Sequence, residues 1–244
     1  MARLLLIRPQ EASERFAAQL RAAGVDLPLV IAPLLRIEVT EIPQIADHQT
    51  VIFTSRNGVL AAPEGNGRLA YAVGTATGAA AEVAGYRVRI ADGDAEALIR
   101  RILADHRAGD LAGPLLHLRG VHSRGDLAAR LTVAGLPTDE TVVYDQTAQP
   151  LTDAAKTLLT GSEPVILPLF SPRSAALFVE QVTEIEVTAP LLVAFISAAA
   201  AASFDTRACT HHEVLPIPRA EEMIAAVQRL MDAAHLLEGE ISRR

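Results

Sequence analysis

The chain has 244 residues, half of them hydrophobic but only 4% aromatic, which is enough apolar mass for one large domain or two of about 120 residues and excludes global disorder. Against 29 Asp and Glu stand 22 Lys and Arg, a formal charge of −7, which argues against a general binder of nucleic acid or of anionic membrane. The single Cys209 excludes an internal disulfide and makes no zinc site by itself.

Leu4-Leu5-Leu6-Ile7, broken by Arg8-Pro9, reads as a buried strand rather than a signal peptide, for which its apolar stretch is too short. Phe16, Leu20 and Ala23 then recur at helical spacing up to Gly24. Leu29 to Thr40, with Pro33 inside, is one extended segment. The next strands are Val51 to Phe53 before Thr54-Ser55, and Ala70 to Val73 before Gly74-Thr75. Tyr86 to Ile90 precedes Asp92-Gly93-Asp94, a cap for a helix over 95–107. Leu115 to Leu118 ends in Arg119-Gly120 before a helix over 124–134. A second extended segment, Thr141 to Thr147, is not followed at once by a helix. Later strands are Val165 to Phe170, Leu191 to Ile196 and Val214-Leu215, with a helix over 220–238 at the end. The Ala-rich run from Pro190 to Phe204 is shorter than the ~20 residues a membrane-spanning helix needs. Short apolar strands alternating with amphipathic helices indicate an α/β fold with mainly parallel sheet. A soluble, cytoplasmic protein is expected.

The alternation repeats itself. Arg8 and Arg119 are 111 positions apart, as are Gly24 and Gly135, and Thr54-Ser55 is echoed by Phe170-Ser171. The small residues Gly74 to Ala81 are echoed by Ser197 to Ala202, and Asp94 to Ile99 by Glu221 to Ile224. Two similar α/β lobes follow from this, with the two extended segments crossing between them and able to pair as a ladder.

In open α/β sheets the ligand lies beyond the carboxyl ends of the strands. Here those positions hold Arg8-Pro9, Thr54-Ser55-Arg56-Asn57, Gly74-Thr75-Ala76-Thr77, Arg119-Gly120, Ser171-Pro172-Arg173-Ser174 and Ser197-Ala198. Free N–H groups, hydroxyls and guanidinium groups at helix starts suit carboxylates or phosphates. The plainer reading of each loop alone is N-capping. Gly74-Thr75-Ala76-Thr77-Gly78 lacks the third glycine of a dinucleotide fingerprint, and no P-loop or nucleophile elbow is present. His211-His212 reads as a surface loop and not a metal pair, His117 as a satisfied core histidine, and His122 as a loop residue. Glu11, Glu14, Glu221 and Glu222 read as solvated helix faces. Cofactor-free, metal-free binding of an anion is the reading these residues support.

The string of loops resembles the uroporphyrinogen-III synthase family. The matching pieces run from Leu5 to Pro9, Ile52 to Val59, Ala72 to Thr77 with Ala84-Gly85-Tyr86, and Leu118 to Gly120. Val142-Val143-Tyr144, Phe170 to Ser174 and Ile196-Ser197-Ala198 complete them. The resemblance implies two flavodoxin- or Rossmann-like lobes joined by a two-stranded β-ladder, with the active site in the cleft between them. One lobe would be 1–34 with 149–244 and the other 39–141, with 35–38 and 142–148 as the crossings. It implies a monomer, no cofactor, and cyclisation of hydroxymethylbilane, an octa-carboxylate linear tetrapyrrole, with loss of water and inversion of its last ring through a spiro-pyrrolenine. Tyr144 would hydrogen-bond the leaving hydroxyl, or else pack between lobes. Arg8, Thr54, Ser55, Arg56, Asn57, Gly74, Thr75, Thr77, Arg119, Gly120, Ser171, Arg173, Ser174, Ser197 and Ala198 would bind substrate. The competing readings are a non-enzymatic two-lobed binder of a small anion and an α/β phosphosugar isomerase or transferase.

Overall fold

Leu4, Leu5 and Leu6 are almost fully buried, which makes β1 (Arg3–Leu6) an interior strand. In this computed structural model, residues 1–40, 42–111, 113–122 and 125–241 are described, the last two of them by backbone alone. Helix α1 (Gln10–Ala22) buries Ser13, Phe16, Ala17 and Leu20 on one face, and Gly24 leaves it at φ 78°. The extended segment expected from Leu29 to Thr40 is instead two strands, β2 (Leu29–Ile31) and β3 (Leu35–Val39). Pro33 lies in the break, where its missing N–H costs no ladder bond.

The chain continues as β4 (Thr50–Phe53), α2 (Arg56–Leu60), β5 (Leu69–Val73), α3 (Thr75–Val83), β6 (Arg87–Ala91) and α4 (Ala95–Arg107). Asp94 caps α4, its carboxylate accepting from the Ala97 N–H at 3.0 Å. Next come β7 (Leu115–Gly120), α5 (Leu127–Val133) and β8 (Thr138–Ala148). Helix α5 starts three residues later than the sequence suggests, because Gly125 at φ 86° precedes it; position 124 lies outside the described residues. Then follow α6 (Asp153–Leu159), β9 (Val165–Leu169), α7 (Pro172–Val182), β10 (Leu191–Phe195), α8 (Ala198–Ala201), β11 (His211–Val214) and α9 (Ala220–Ile241). The last strand therefore begins at His211 rather than Val214, and the histidine pair is not in a loop. Leu192 pairs with His211 and Val193 with His212, so ladder bonds to β10 extend an edge strand whose histidines remain exposed.

The chain divides into two compact units, Met1–Arg36 with Ala148–Arg244, and Ile37–Thr147. The first holds a five-stranded sheet in the order β11-β10-β9-β1-β2, and the other sheet has the order β3-β8-β7-β4-β5-β6. The paired strands of the first sheet are parallel, as are β8-β7-β4-β5-β6 of the second. Residues 34–40 run against 143–149: the Gln149 N–H donates to the Leu34 carbonyl at 2.9 Å, and the Thr40 N–H to the Val143 carbonyl at 3.0 Å.

Apart from β3, which has no counterpart in the smaller sheet, the two orders are the same order under one correspondence. If β4, β5, β6, β7 and β8 are matched to β9, β10, β11, β1 and β2, each neighbour is preserved. The sequence repeat of Arg8 with Arg119 and of Ser55 with Ser171 obeys this match. One unit takes its last two parallel strands from the start of the chain.

Each sheet is covered on both faces. Leu5, Ile7, Leu167 and Leu169 point to the face holding Phe178, while Leu4, Leu6 and Ile166 point to Phe16, Met223 and Leu230. In the second sheet Val51, Phe53 and Leu118 share a side with Tyr86, and Ile52, Tyr71 and Leu115 share the other with Leu98 and Leu131. Full burial of each such side chain contributes about 1.5–3 kcal/mol. Among the described residues no helix is long and apolar enough to cross a membrane.

Candidate functional site

A parallel sheet whose connections run outward in both directions leaves a crevice beyond the two strands where they part. In the larger sheet those strands are β4 and β7. Thr54 and Ser55 leave β4 at that point, and Arg119 and Gly120 close β7. Ser55 caps α2, its hydroxyl oxygen accepting from the Asn57 N–H at 3.0 Å. The buried Tyr144 on β8 donates its hydroxyl to the same oxygen at 3.2 Å. Ser55 Oγ thus accepts twice, and its own O–H is left to donate.

Beside this pair lies a second chain of polar contacts. Thr54 Oγ1 is 3.0 Å from His117 Nε2, and His117 Nδ1 is 3.1 Å from Glu140 Oε1. Arg119 Nε donates to Glu140 Oε2 at 3.0 Å, so this arginine is held by its own strand neighbourhood. Burial lowers the pKa of His117 from its ordinary value, and the adjacent Glu140 opposes that shift. The reading of His117 as a satisfied buried histidine describes it well. Glu140 was not legible as its partner, since their pairing follows only from the β7–β8 register.

Gly74, at φ 72°, opens α3 with no side-chain cap among the described residues, so the first amides of that helix keep N–H groups that no cap engages. Thr75 is exposed there, whereas Thr77 is buried. Arg56 and Asn57 are half-buried at the start of α2. Among the described residues the Arg56 Nε is buried with no hydrogen-bond partner.

In the smaller sheet the strands part at β1 and β9. Arg8 follows β1, and its guanidinium carbon is 3.8 Å from the ring centroid of Phe170, which follows β9. Desolvation first, and then the nearby Arg15, lower the Arg8 pKa to about 10. Phe170 was not among the expected binding residues; its place one strand from Arg8 is what reveals it. Ser171 caps α7, accepting from the Ser174 N–H at 3.0 Å and donating to the Ser174 hydroxyl at 2.9 Å. Arg173 is half-buried on the first turn of that helix, and Ser174 is buried. Ser197 caps α8, accepting from the Ala200 N–H at 3.4 Å, and Ala198 is exposed. His122 stands apart, exposed, 3.7 Å from Asp145.

Every expected residue therefore sits at a strand's carboxyl end, on the first turn of the following helix, or, as with Tyr144, in a neighbouring strand. Ser55, Ser171 and Ser197 do act as caps.

A family model described as uroporphyrinogen-III synthase HemD matches residues 14–225. The chain belongs to the uroporphyrinogen-III synthase family. It is accordingly an enzyme, a lyase of porphyrin and heme biosynthesis that cyclises hydroxymethylbilane. Its structure is similar to the uroporphyrinogen-III synthetase of Helicobacter pylori, with a TM-score of 0.64 and 17% identity over 94% of this chain and 100% of that one. It is also similar to a mutant uroporphyrinogen III synthase from Thermus thermophilus, with a TM-score of 0.50 and 14% identity over 96% of this chain and 100% of that one. These two likenesses speak for the α/β fold with two parallel-containing sheets. No curated protein sequence matches the chain. Membership of an enzyme family leaves the non-enzymatic binder without support.

Proposed function

We propose that Tyr144 and Ser55 meet the leaving hydroxyl of hydroxymethylbilane, and that the loops at each unit's parting strands hold its carboxylates. The observation that carries this reading is the Tyr144 hydroxyl donating to Ser55 Oγ at 3.2 Å, where β4 and β7 end. Ser55 then offers its O–H outward, and Tyr144 polarises it. As the terminal pyrrole nitrogen pushes its electron pair toward the methylene carbon, the C–O bond breaks and the hydroxyl leaves as water, taking a proton relayed from Tyr144 through Ser55; the proton lost from the last ring's carbon when the macrocycle closes restores it. The azafulvene cation left behind is attacked by the substituted carbon of the last ring. The resulting spiro-pyrrolenine fragments and recloses with that ring inverted.

The open-chain substrate closes unaided without inversion, so the enzyme's contribution is mainly orientation. Arg8, Arg56 and Arg173, with the uncapped amides at the start of α3, suit the carboxylates. Thr77, Arg119 and the remaining loop residues would frame the chain. In this reading the protein works in the cytoplasm as a monomer without a cofactor.

The test is incubation with freshly made hydroxymethylbilane, followed by oxidation and chromatographic resolution of the isomers. Isomer III should dominate. A pool of isomer I alone from folded protein, matching the enzyme-free control, would overturn the reading.

A further inference from the structure

The strand-by-strand match of the two units shows where they differ. His117 on β7 corresponds to Leu6 on β1, and Glu140 on β8, its register partner, to Ile31 on β2. Thr54 corresponds to Phe170, and Arg119 to Arg8. The same sheet positions are thus filled by Leu6 and Ile31 in one unit and by a histidine–carboxylate pair in the other. The architecture itself does not call for the polar pair.

The geometry fixes what that pair does. A carboxylate only accepts, so the contact at 3.1 Å places the hydrogen on His117 Nδ1. A neutral ring protonated there has a bare Nε2, and the Thr54 hydroxyl 3.0 Å away must donate to it. The other tautomer would set the Nδ1 lone pair against a carboxylate. Protonation of both nitrogens is disfavoured by burial. With its hydrogen turned inward to the imidazole, the half-buried Thr54 keeps only lone pairs for a partner. Ser55, its neighbour, does the opposite, accepting twice and keeping a hydrogen to give.

We propose that His117 is a positioning residue that fixes the Thr54 hydroxyl as an acceptor, for a pyrrole N–H of the substrate rather than for a carboxylate. The inference rests on the bilane as substrate, which carries both N–H donors and carboxylate acceptors. It reassigns Thr54 from the anion-binding set. Thr54 and Ser55 together form an acceptor and a donor on consecutive residues, a pattern that distinguishes the N–H edge of a pyrrole ring from its acidic side chains.

The orientation is read first, without substrate, from two-bond proton–nitrogen correlation spectra of the full chain carrying ring-labelled histidine. The His117 signals are the ones lost in the double variant His117→Leu/Glu140→Ile, which borrows the pair the other unit uses. A protonated Nδ1 with a bare Nε2 at neutral pH is expected. A ring protonated on Nε2, alone or with Nδ1, overturns the proposal. With hydroxymethylbilane, Thr54→Val and the double variant should each raise KM about three- to ten-fold, the loss of one net hydrogen bond. Thr54→Ser should recover most of what Thr54→Val loses. An unchanged KM in Thr54→Val, with isomer III still formed, overturns the acceptor role and leaves the synthase reading intact. Failure of the unaltered protein to form isomer III overturns the substrate reading and the pyrrole partner together, and is seen before any variant is made.

Discussion

A Cβ on Gly120 would stand 2.6 Å from Cε2 and Cζ of Tyr144, so the tyrosine ring occupies space that only glycine leaves open. The two residues are register partners where β7 and β8 shift relative to each other. The irregularity lets the ring lie across the end of the neighbouring strand, and from there its hydroxyl reaches Ser55. Gly120 therefore serves the site by what it lacks.

Gly120→Ala should displace the Tyr144 ring and break its hydrogen bond to Ser55. Overpacking of this kind costs about 1–3 kcal/mol. Urea unfolding of the variant should show that loss, and kcat should fall with it. Substitution at Gly24, where among the described residues nothing beyond its chain neighbours lies within 4 Å of an added Cβ, should instead act only through its positive φ and leave kcat alone.

Tyr144→Phe and Ser55→Ala separate the two hydroxyls. Tyr144→Phe keeps the ring against Gly120 and removes one hydrogen bond, worth about 1 kcal/mol of stability. Ser55→Ala removes the cap of α2 as well, at about 0.5–2 kcal/mol, together with the outward O–H. Both should lower kcat, Ser55→Ala the more, and the double variant should lose little beyond Ser55→Ala. Full additivity in kcat would mean that the two hydroxyls act apart.

Much of this architecture was legible in the sequence, because the alternation of apolar strands and helices is strong and repeats with a constant offset from Arg8 to Arg119 and from Gly24 to Gly135. The permuted match of the two sheets needed the strand order. What failed locally had local causes: Pro33 splits one extended segment, and ladder bonds to β10 draw His211-His212 into a strand. The loops that carry hydroxyls and arginines were visible as residue types. Their partners were not, since Tyr144 reaches Ser55 across 89 positions and Thr54 reaches His117 across 63. Such contacts are set by register and strand order, which a linear pattern does not encode.

The buried imidazole makes stability depend on pH. The His117 pKa in the folded chain is held below the unfolded value by burial, with Glu140 opposing and Arg119 adding to the shift. The folded state therefore favours the neutral ring, and the stability tied to it is present above about pH 6.5. It is lost as the pH falls below that value, through the folded pKa. The His117→Leu/Glu140→Ile variant should show a shallower fall of unfolding free energy between about pH 7 and 5 than the unaltered chain. Equal slopes would show that other groups govern the acid limb.

Arg8 should trade stability for binding. Its pKa falls to about 10 because desolvation and Arg15 disfavour its charge, and at neutral pH, below both folded and unfolded values, that cost is fully present. The stacking of its guanidinium on Phe170 at 3.8 Å offsets part of it, by about 0.5–2 kcal/mol. Methionine at this place keeps an apolar contact with the ring and removes the charge. Arg8→Met should therefore raise the urea midpoint of unfolding while raising KM for hydroxymethylbilane. Arg8→Lys, which keeps the charge but loses the planar stack, should raise KM less and lower the midpoint. A midpoint that falls in Arg8→Met would show that the stack outweighs the desolvation, and an unchanged KM would remove Arg8 from the substrate's carboxylate contacts.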